Sequence, residues 1–257
     1  MTDRPPEKSA SVGLEVGLPL VGALAIGVVL RGLYPPGGID TRLLDPAVVA
    51  GLCLGGQLWY VSHRLVPART AGEPLARLFG LANSLTLLRG ALYAVVAGFV
   101  VVPPDTPLVW IPALAYGSGV VLDKLDGTVA RTLGQETTLG ERLDMTFDTF
   151  GFVAAPVVAV VWGRLPVWYL SLSAARYVYR GGLAWRTRRD RPVFDPPDSN
   201  VGKYLAGVQM VFLTAALAPA VPGHLVWTAA PLVLAPSLAV FARDFLVVTG
   251  RLSGQER

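Results

Sequence analysis

The chain has 257 residues, 53% of them hydrophobic and only 16% charged, with a formal net charge of +4 and a mean hydropathy of +0.51. Soluble domains are about a quarter charged, so the composition argues against an ordinary soluble enzyme and for an all-α integral membrane protein built of spans of roughly 20 residues each. Cys53 is the only cysteine, which excludes an intrachain disulfide and a CxxC redox or metal site; no interleaving of basic and aromatic residues points to nucleic acid.

Eight apolar segments are expected in chain order, at about 13–33, 45–63, 83–103, 107–131, 140–162, 166–185, 203–221 and 225–248. The first reads as a retained span rather than a cleaved signal peptide. It is long for a signal's apolar core, and its small residues Ala23 and Ala25 lie inside the run instead of after it. Residues 66–80 are too short and polar to cross; they read either as a helix along the membrane surface, with Leu75, Leu78 and Phe79 in lipid, or as a plain connecting loop. Pro35-Pro36-Gly37-Gly38, Pro103-Pro104, Pro166 and Pro222-Gly223 punctuate the spans. With the N-terminus in the cytoplasm, Arg64, Arg69, Arg77, Arg131, Arg142, Arg186, Arg188, Arg189, Arg191 and Arg251 all fall on the inner side. Arg31, Arg42, Arg164 and His224 are left outside. That asymmetry follows the positive-inside rule. It predicts a multi-pass protein of the cell membrane.

The segment 123–148 carries four aspartates between apolar runs. Asp123 and Asp126 share one helix face with Gly127 and Ala130; Asp144 and Asp148, four apart, share another. A short cytoplasmic turn around Gly134-Gln135-Glu136 brings the two helices antiparallel, so all four carboxylates converge. Carboxylates so close repel one another, and an oxygen-only set without His or Cys favours Mg²⁺ or Mn²⁺. Two such ions balance four carboxylates and suit a pyrophosphate substrate. Small residues beside them admit a close ligand, and Arg131 at the same helix end can grip a phosphate in two places. A purely structural alternative pairs the aspartates with Lys124, Arg131 and Arg142. Asn83 reads as a helix N-cap. Arg89, two turns into an apolar run, is expected to face the bundle or to snorkel.

The pattern Asp123-x-x-Asp126-Gly127-x-x-Ala130-Arg131, eight residues, then Gly140-x-x-x-Asp144-x-x-x-Asp148 resembles the signature of the CDP-alcohol phosphotransferases. The resemblance implies a six-helix core, here preceded by two extra N-terminal transmembrane helices. The organisation becomes residues 1–65 for the extension, 66–82 for a juxtamembrane segment, 83–250 for the catalytic domain and 251–257 for a cytoplasmic tail. It further implies transfer of a phosphatidyl-type group from a CDP-linked lipid to an alcohol, with release of CMP, at a site facing the cytoplasm. By resemblance Asp123, Asp126, Asp144 and Asp148 hold two metal ions, and Asp148 also serves as the base. Gly127, Ala130 and Gly140 make room for the cytidine nucleotide, Arg131 contacts phosphate, and Asn83 and Thr86 belong to an Asn-x-x-Thr-x-x-Arg opening that faces it.

For the acceptor, Arg176, Arg180 and Lys203 supply cations suited to an alcohol that carries its own phosphate. The run Trp185-Arg-Thr-Arg-Arg-Asp-Arg-Pro192 either extends that cluster or marks the cytoplasmic side and binds anionic lipid. Gly202-Lys203 with Gln209-Met210 is similar to phosphatidylglycerolphosphate synthases and makes glycerol phosphate the first choice. Met145 and Thr149 depart from that subgroup. Inositol phosphate, serine and a cardiolipin-type lipid acceptor stay open, as does a homodimer. An intramembrane prenyltransferase and a divalent-cation transporter are the rival classes.

Overall fold

The computed structural model describes residues 45–70, 80–133, 137–189, 191–192, 194 and 200–251, without the side chains of residues 66–70, 130, 133, 138, 180 and 184. The expected span at 13–33, most of the segment 66–82, the turn at 134–136 and residues 252–257 lie outside the described residues. Among the described residues the regular structure is helical throughout: α1 (Pro46–Thr70), α2 (Leu81–Gly98), α3 (Ile111–Leu133), α4 (Thr138–Val161), α5 (Ser171–Arg188), α6 (Val201–Leu217) and α7 (Gly223–Val248), with 3₁₀ turns at Phe99–Val101 and Val167–Leu170.

Local chemistry sets the helix ends. Asp45 caps α1, accepting the backbone N–H of Ala47 at 2.8 Å, and Pro46 fills the first helical position, where no N–H is needed. Thr137 caps α4, its Oγ1 accepting the N–H of Gly140 at 2.9 Å. Gly163 and Gly250 follow α4 and α7 with φ of 68° and 70°, the left-handed turn that closes a helix C-terminus and favours glycine. One expectation fails here. Asn83 is not an N-cap, because α2 begins at Leu81 with Gly80 in the cap position. Asn83 therefore sits at the third helical residue and points inward. A second difference concerns α1, which runs through Thr70 rather than ending near His63.

Among the described residues, three segments are long and apolar enough to cross a bilayer: Leu81–Val101, Leu139–Val161 and Gly223–Val248; α6 is apolar but shorter. The remaining helices fall below that apolarity for visible reasons. The second half of α3 carries Asp123, Lys124, Asp126 and Arg131, α5 carries Arg176, Arg180, Arg186 and Arg188, and α1 is diluted by Gln57, His63 and Arg64.

The described chain forms two compact units, the first within Met1–Pro103 and Ser118–Asp148, the second within Pro104–Gly117 and Thr149–Arg257. In the first, α1 lies antiparallel along α2. A Cβ at Gly98 would come within 2.6 Å of the Pro46 carbonyl oxygen, and one at Gly90 within 2.7 Å of the Gln57 Oε1 and 2.9 Å of the Phe147 ring. Gly90, Ala94 and Gly98 thus form a small-residue stripe of the kind that lets membrane helices approach closely. Leu65, Leu139, Leu143 and Phe147 close a core over Tyr60, Val61 and Leu87.

In the second unit, buried Gln209 is the polar centre. Its Oε1 accepts the Tyr169 hydroxyl, and its Nε2 donates to the Val233 carbonyl at 2.9 Å and the Ser237 hydroxyl at 3.0 Å. Both bonds fall on the stretch of α7 that contains Pro231 and Pro236. Arg164 donates to the carbonyls of Ala216, Ala218 and Val221 at 2.6–3.0 Å, closing the C-terminal end of α6. Arg243 and Asp244, although adjacent in sequence, pair with each other at 2.7 Å.

Candidate active site

The site is assembled in the first unit from α2, α3 and α4. Along α2, Asn83, Thr86, Arg89, Gly90 and Tyr93 are all buried and recur at three- and four-residue steps, so one stripe of the helix carries them. Two close approaches bring the acidic helices to that stripe. A Cβ at Gly119 would run into the Tyr93 ring; Gly119 precedes Asp123 by one turn, and Tyr93 follows Arg89 by one turn. On the other side a Cβ at Gly140 would come within 2.6 Å of Asn83 Oδ1 and 3.0 Å of Thr137 Oγ1. There the Asn83 amide donates to Thr137 Oγ1 at 3.3 Å.

Packed this tightly, the four aspartates surround one guanidinium. Arg89 is wholly buried. Its Nη1 donates to Asp123 Oδ1 and lies 3.8 Å from Asp126 Oδ2 and 3.4 Å from Asp148 Oδ1. Its Nη2 lies 2.5 Å from Asp144 Oδ1. Thr86 donates its hydroxyl to Asp126 Oδ2 at 2.9 Å. Exposure grades across the set: the Asp126 side chain is 7% exposed, Asp123 14%, Asp148 24% and Asp144 48%. One edge of the cluster is therefore deep in protein and the other open.

Among the described residues, of the expected ion pairs only that of Lys124 forms, an exposed contact to Asp123 at 3.3 Å; an exposed pair of this kind contributes little. Arg131 and Arg142 are exposed. The cation that does hold the aspartates, Arg89, was expected only to face the bundle or to snorkel. The available signal was its step of three from Thr86 and six from Asn83, which puts it on their face.

Asp123, Asp126 and Asp144 each offer an oxygen within 4.8 Å of the others'. An all-oxygen set of that size fits a hard divalent cation. Asp148 stands outside this trio. Gly127 leaves the wall of α3 low, its nearest neighbour being the Arg131 guanidinium of its own helix, 3.4 Å from where a Cβ would stand. At Gly140, by contrast, the space is filled by Asn83 and Thr137. Ala130 lies on α3, with its side chain outside the described residues.

The acceptor candidates lie in the second unit. Arg176 is half-buried, its guanidinium 3.9 Å over the Phe152 ring, a cation–π contact. Lys203 is exposed in the first turn of α6, and the Arg180 side chain lies outside the described residues. The basic run after α5 folds on itself: Arg186 donates to the Pro192 carbonyl at 2.8 Å, and Arg189 and Arg191 cover the Trp185 ring at 5.6 and 5.1 Å.

No curated protein matches the chain. Residues 79–235, more than half of it, match CDP-alcohol phosphatidyltransferase, a stretch that runs from the start of α2 into α7 and includes all four aspartates. With those carboxylates on an apolar helical frame, the chain belongs to the CDP-alcohol phosphatidyltransferase family and is a membrane-associated transferase of substituted phosphate groups.

Proposed function

We propose that this enzyme transfers a phosphatidyl or archaetidyl group from a CDP-linked lipid to glycerol phosphate at the cytoplasmic rim of the membrane. The observation that carries the reading is the graded carboxylate cluster. Three aspartates converge within 4.8 Å on an apolar frame, beside a helix wall kept low at Gly127. Family membership sets aside the prenyltransferase and cation-transporter alternatives.

Asp123, Asp126, Asp144 and Asp148 would hold two divalent ions, Mg²⁺ or Mn²⁺, which supply polarisation of the attacked phosphorus and stabilisation of the leaving oxygen. The low wall at Gly127, together with the Ala130 of the signature, admits the cytidine nucleotide, and exposed Arg131 takes a phosphate oxygen pair. Asp148, outside the carboxylate trio, takes the proton of the acceptor hydroxyl. That oxygen bonds to the lipid-bearing phosphorus as the bridging P–O bond breaks, and CMP leaves with the electron pair. Asn83 and Thr86 act from below: Thr86 orients Asp126, and Asn83 sets the spacing of α2 and α4. Arg176, Arg180 and Lys203 receive the acceptor's phosphate. Of the Gln209-Met210 stretch, Gln209 is fully engaged in holding α6 to α7, so the preference for a phosphorylated acceptor rests on the cations.

The test is release of CMP by the purified enzyme with Mg²⁺, a CDP-lipid, and glycerol phosphate, inositol phosphate, serine or glycerol in turn. Glycerol phosphate is expected to give the highest rate; a higher rate with another acceptor would replace it. Lys203→Ala is expected to raise KM for the phosphorylated acceptor roughly tenfold with kcat retained, the worth of one hydrogen bond to a charged group. An unchanged KM removes Lys203 from the site.

A further inference from the structure

Arg89 is a costly side chain to bury in the first unit. It is a permanent cation with no exposed surface in the middle of an apolar helix, where a charge survives only with partners. It has four. Its two terminal nitrogens lie within 3.8 Å of an oxygen on each of Asp123, Asp126, Asp144 and Asp148, whereas its Nε has no hydrogen-bond partner among the described residues. One guanidinium and the solvated Lys124 leave the group with an excess of negative charge.

The oxygens that Arg89 occupies are the ones a divalent ion needs. Asp123, Asp126 and Asp144 form the trio with ligand spacing, and Arg89 bonds directly to two of them. A magnesium ion binds oxygens at about 2.0–2.1 Å, which leaves no room for a guanidinium nitrogen on the same lone pairs, and two cations at such distances repel strongly in a poorly screened site. Resting on the divalent-ion reading above, we infer that Arg89 is a built-in counter-ion. It holds the four carboxylates together when no metal is bound and is displaced from them when metal enters. It is a positioning residue that competes with the metal, not a support that the metal-bound site requires. Four carboxylates alone would repel one another, and the Arg89 guanidinium offsets that repulsion.

The experiment uses the full chain in lipid nanodiscs, stripped of metal with a chelator and titrated with Mn²⁺, free ion being read by electron paramagnetic resonance. Arg89→Gln is expected to bind its first Mn²⁺ at least tenfold more tightly than the wild type, with Arg89→Lys between them. Without metal, Arg89→Gln should melt at a lower temperature than the wild type, and saturating Mn²⁺ should raise its midpoint by more. A merely structural arginine predicts the reverse for affinity, because scattered carboxylates bind metal less well; equal or weaker binding by Arg89→Gln overturns the inference. No Mn²⁺ binding by the wild type overturns the two-metal reading instead. Should Arg89→Gln fail to fold, the wild type decides the matter alone. Side-chain ¹⁵N signals of Arg89 are expected to shift on adding Mg²⁺ and not on adding Na⁺ at equal ionic strength, and signals unmoved at saturating Mg²⁺ overturn the exchange.

Discussion

Asp126→Asn, and separately Asp144→Asn, are expected to reduce CMP release by at least about 10²–10³-fold, the loss seen when one preorganised electrostatic contact to a transition state is removed. The substitution keeps the shape of the side chain and deletes one negative charge. At position 126 the Thr86 hydroxyl, now 2.9 Å from Oδ2, can still donate to the amide oxygen, and Arg89 keeps three carboxylates. The fold should therefore survive, since relief of like-charge repulsion offsets one lost ion pair. The check is a thermal melt alongside the rate. A variant with an unchanged melting temperature and no turnover fits the assignment; wild-type turnover in either variant removes that aspartate from the chemistry. The open edge at Asp144, 48% exposed, faces the side from which substrate can arrive. Asp126, at 7%, is the buried anchor.

Gly119→Ala is expected to be the most damaging change outside the carboxylates. Its new methyl group would overlap the Tyr93 ring, which is completely buried and has nowhere to turn. Overpacking of this kind costs about 1–3 kcal/mol, and relieving it means moving α3 away from α2. The spacing of Asp123 and Asp126 on α3 from Asp144 on α4, on which the carboxylate trio depends, then changes, so activity should fall by more than the loss of stability explains. Gly51→Ala is the matched control, because a Cβ there meets nothing within 4 Å; in a helix interior that change should be neutral or stabilising by up to about 1 kcal/mol. Equal behaviour of the two variants in melting temperature and rate would show that the Tyr93–Gly119 approach does not position the site.

The acidic helices were legible because each pair of aspartates repeats at helical spacing within a few residues, and a one-dimensional pattern suffices for that. Proline and glycine punctuation placed most helix ends within a few residues for the same reason. What crosses between helices was not legible. Arg89 reaches aspartates 34 and 55 residues away in sequence, and its own surroundings in the chain are Leu87, Leu88 and Gly90, which say only that it must find a partner. Asn83 was misread because a cap residue and an inward-facing polar residue one turn later use the same side chains, and only the start of the helix at Leu81 separates them. Gln209 looked like part of a substrate pattern, whereas its two donor bonds go to the Val233 carbonyl and the Ser237 hydroxyl of α7. A sequence motif does not distinguish a residue kept for its ligand from one kept for a neighbouring carbonyl.

The antiparallel seam between α1 and α2 bears on how the protein is born. The family match starts at residue 79, but the stripe Gly90–Ala94–Gly98 is covered by a helix that precedes it. Because α1 and α2 are adjacent in the chain, the hairpin can close during synthesis, before α3 has left the ribosome. Helices in lipid associate through such tight small-residue contacts once each is inserted. At that stage Arg89 has no aspartate, and its insertion depends on what α1 covers and on how far its side chain can reach toward water. A chain begun at residue 79 would send α2 into the membrane with its glycine stripe bare and its arginine unattended. The defect should appear as poor insertion and degradation during biogenesis, before any loss of catalysis could be measured.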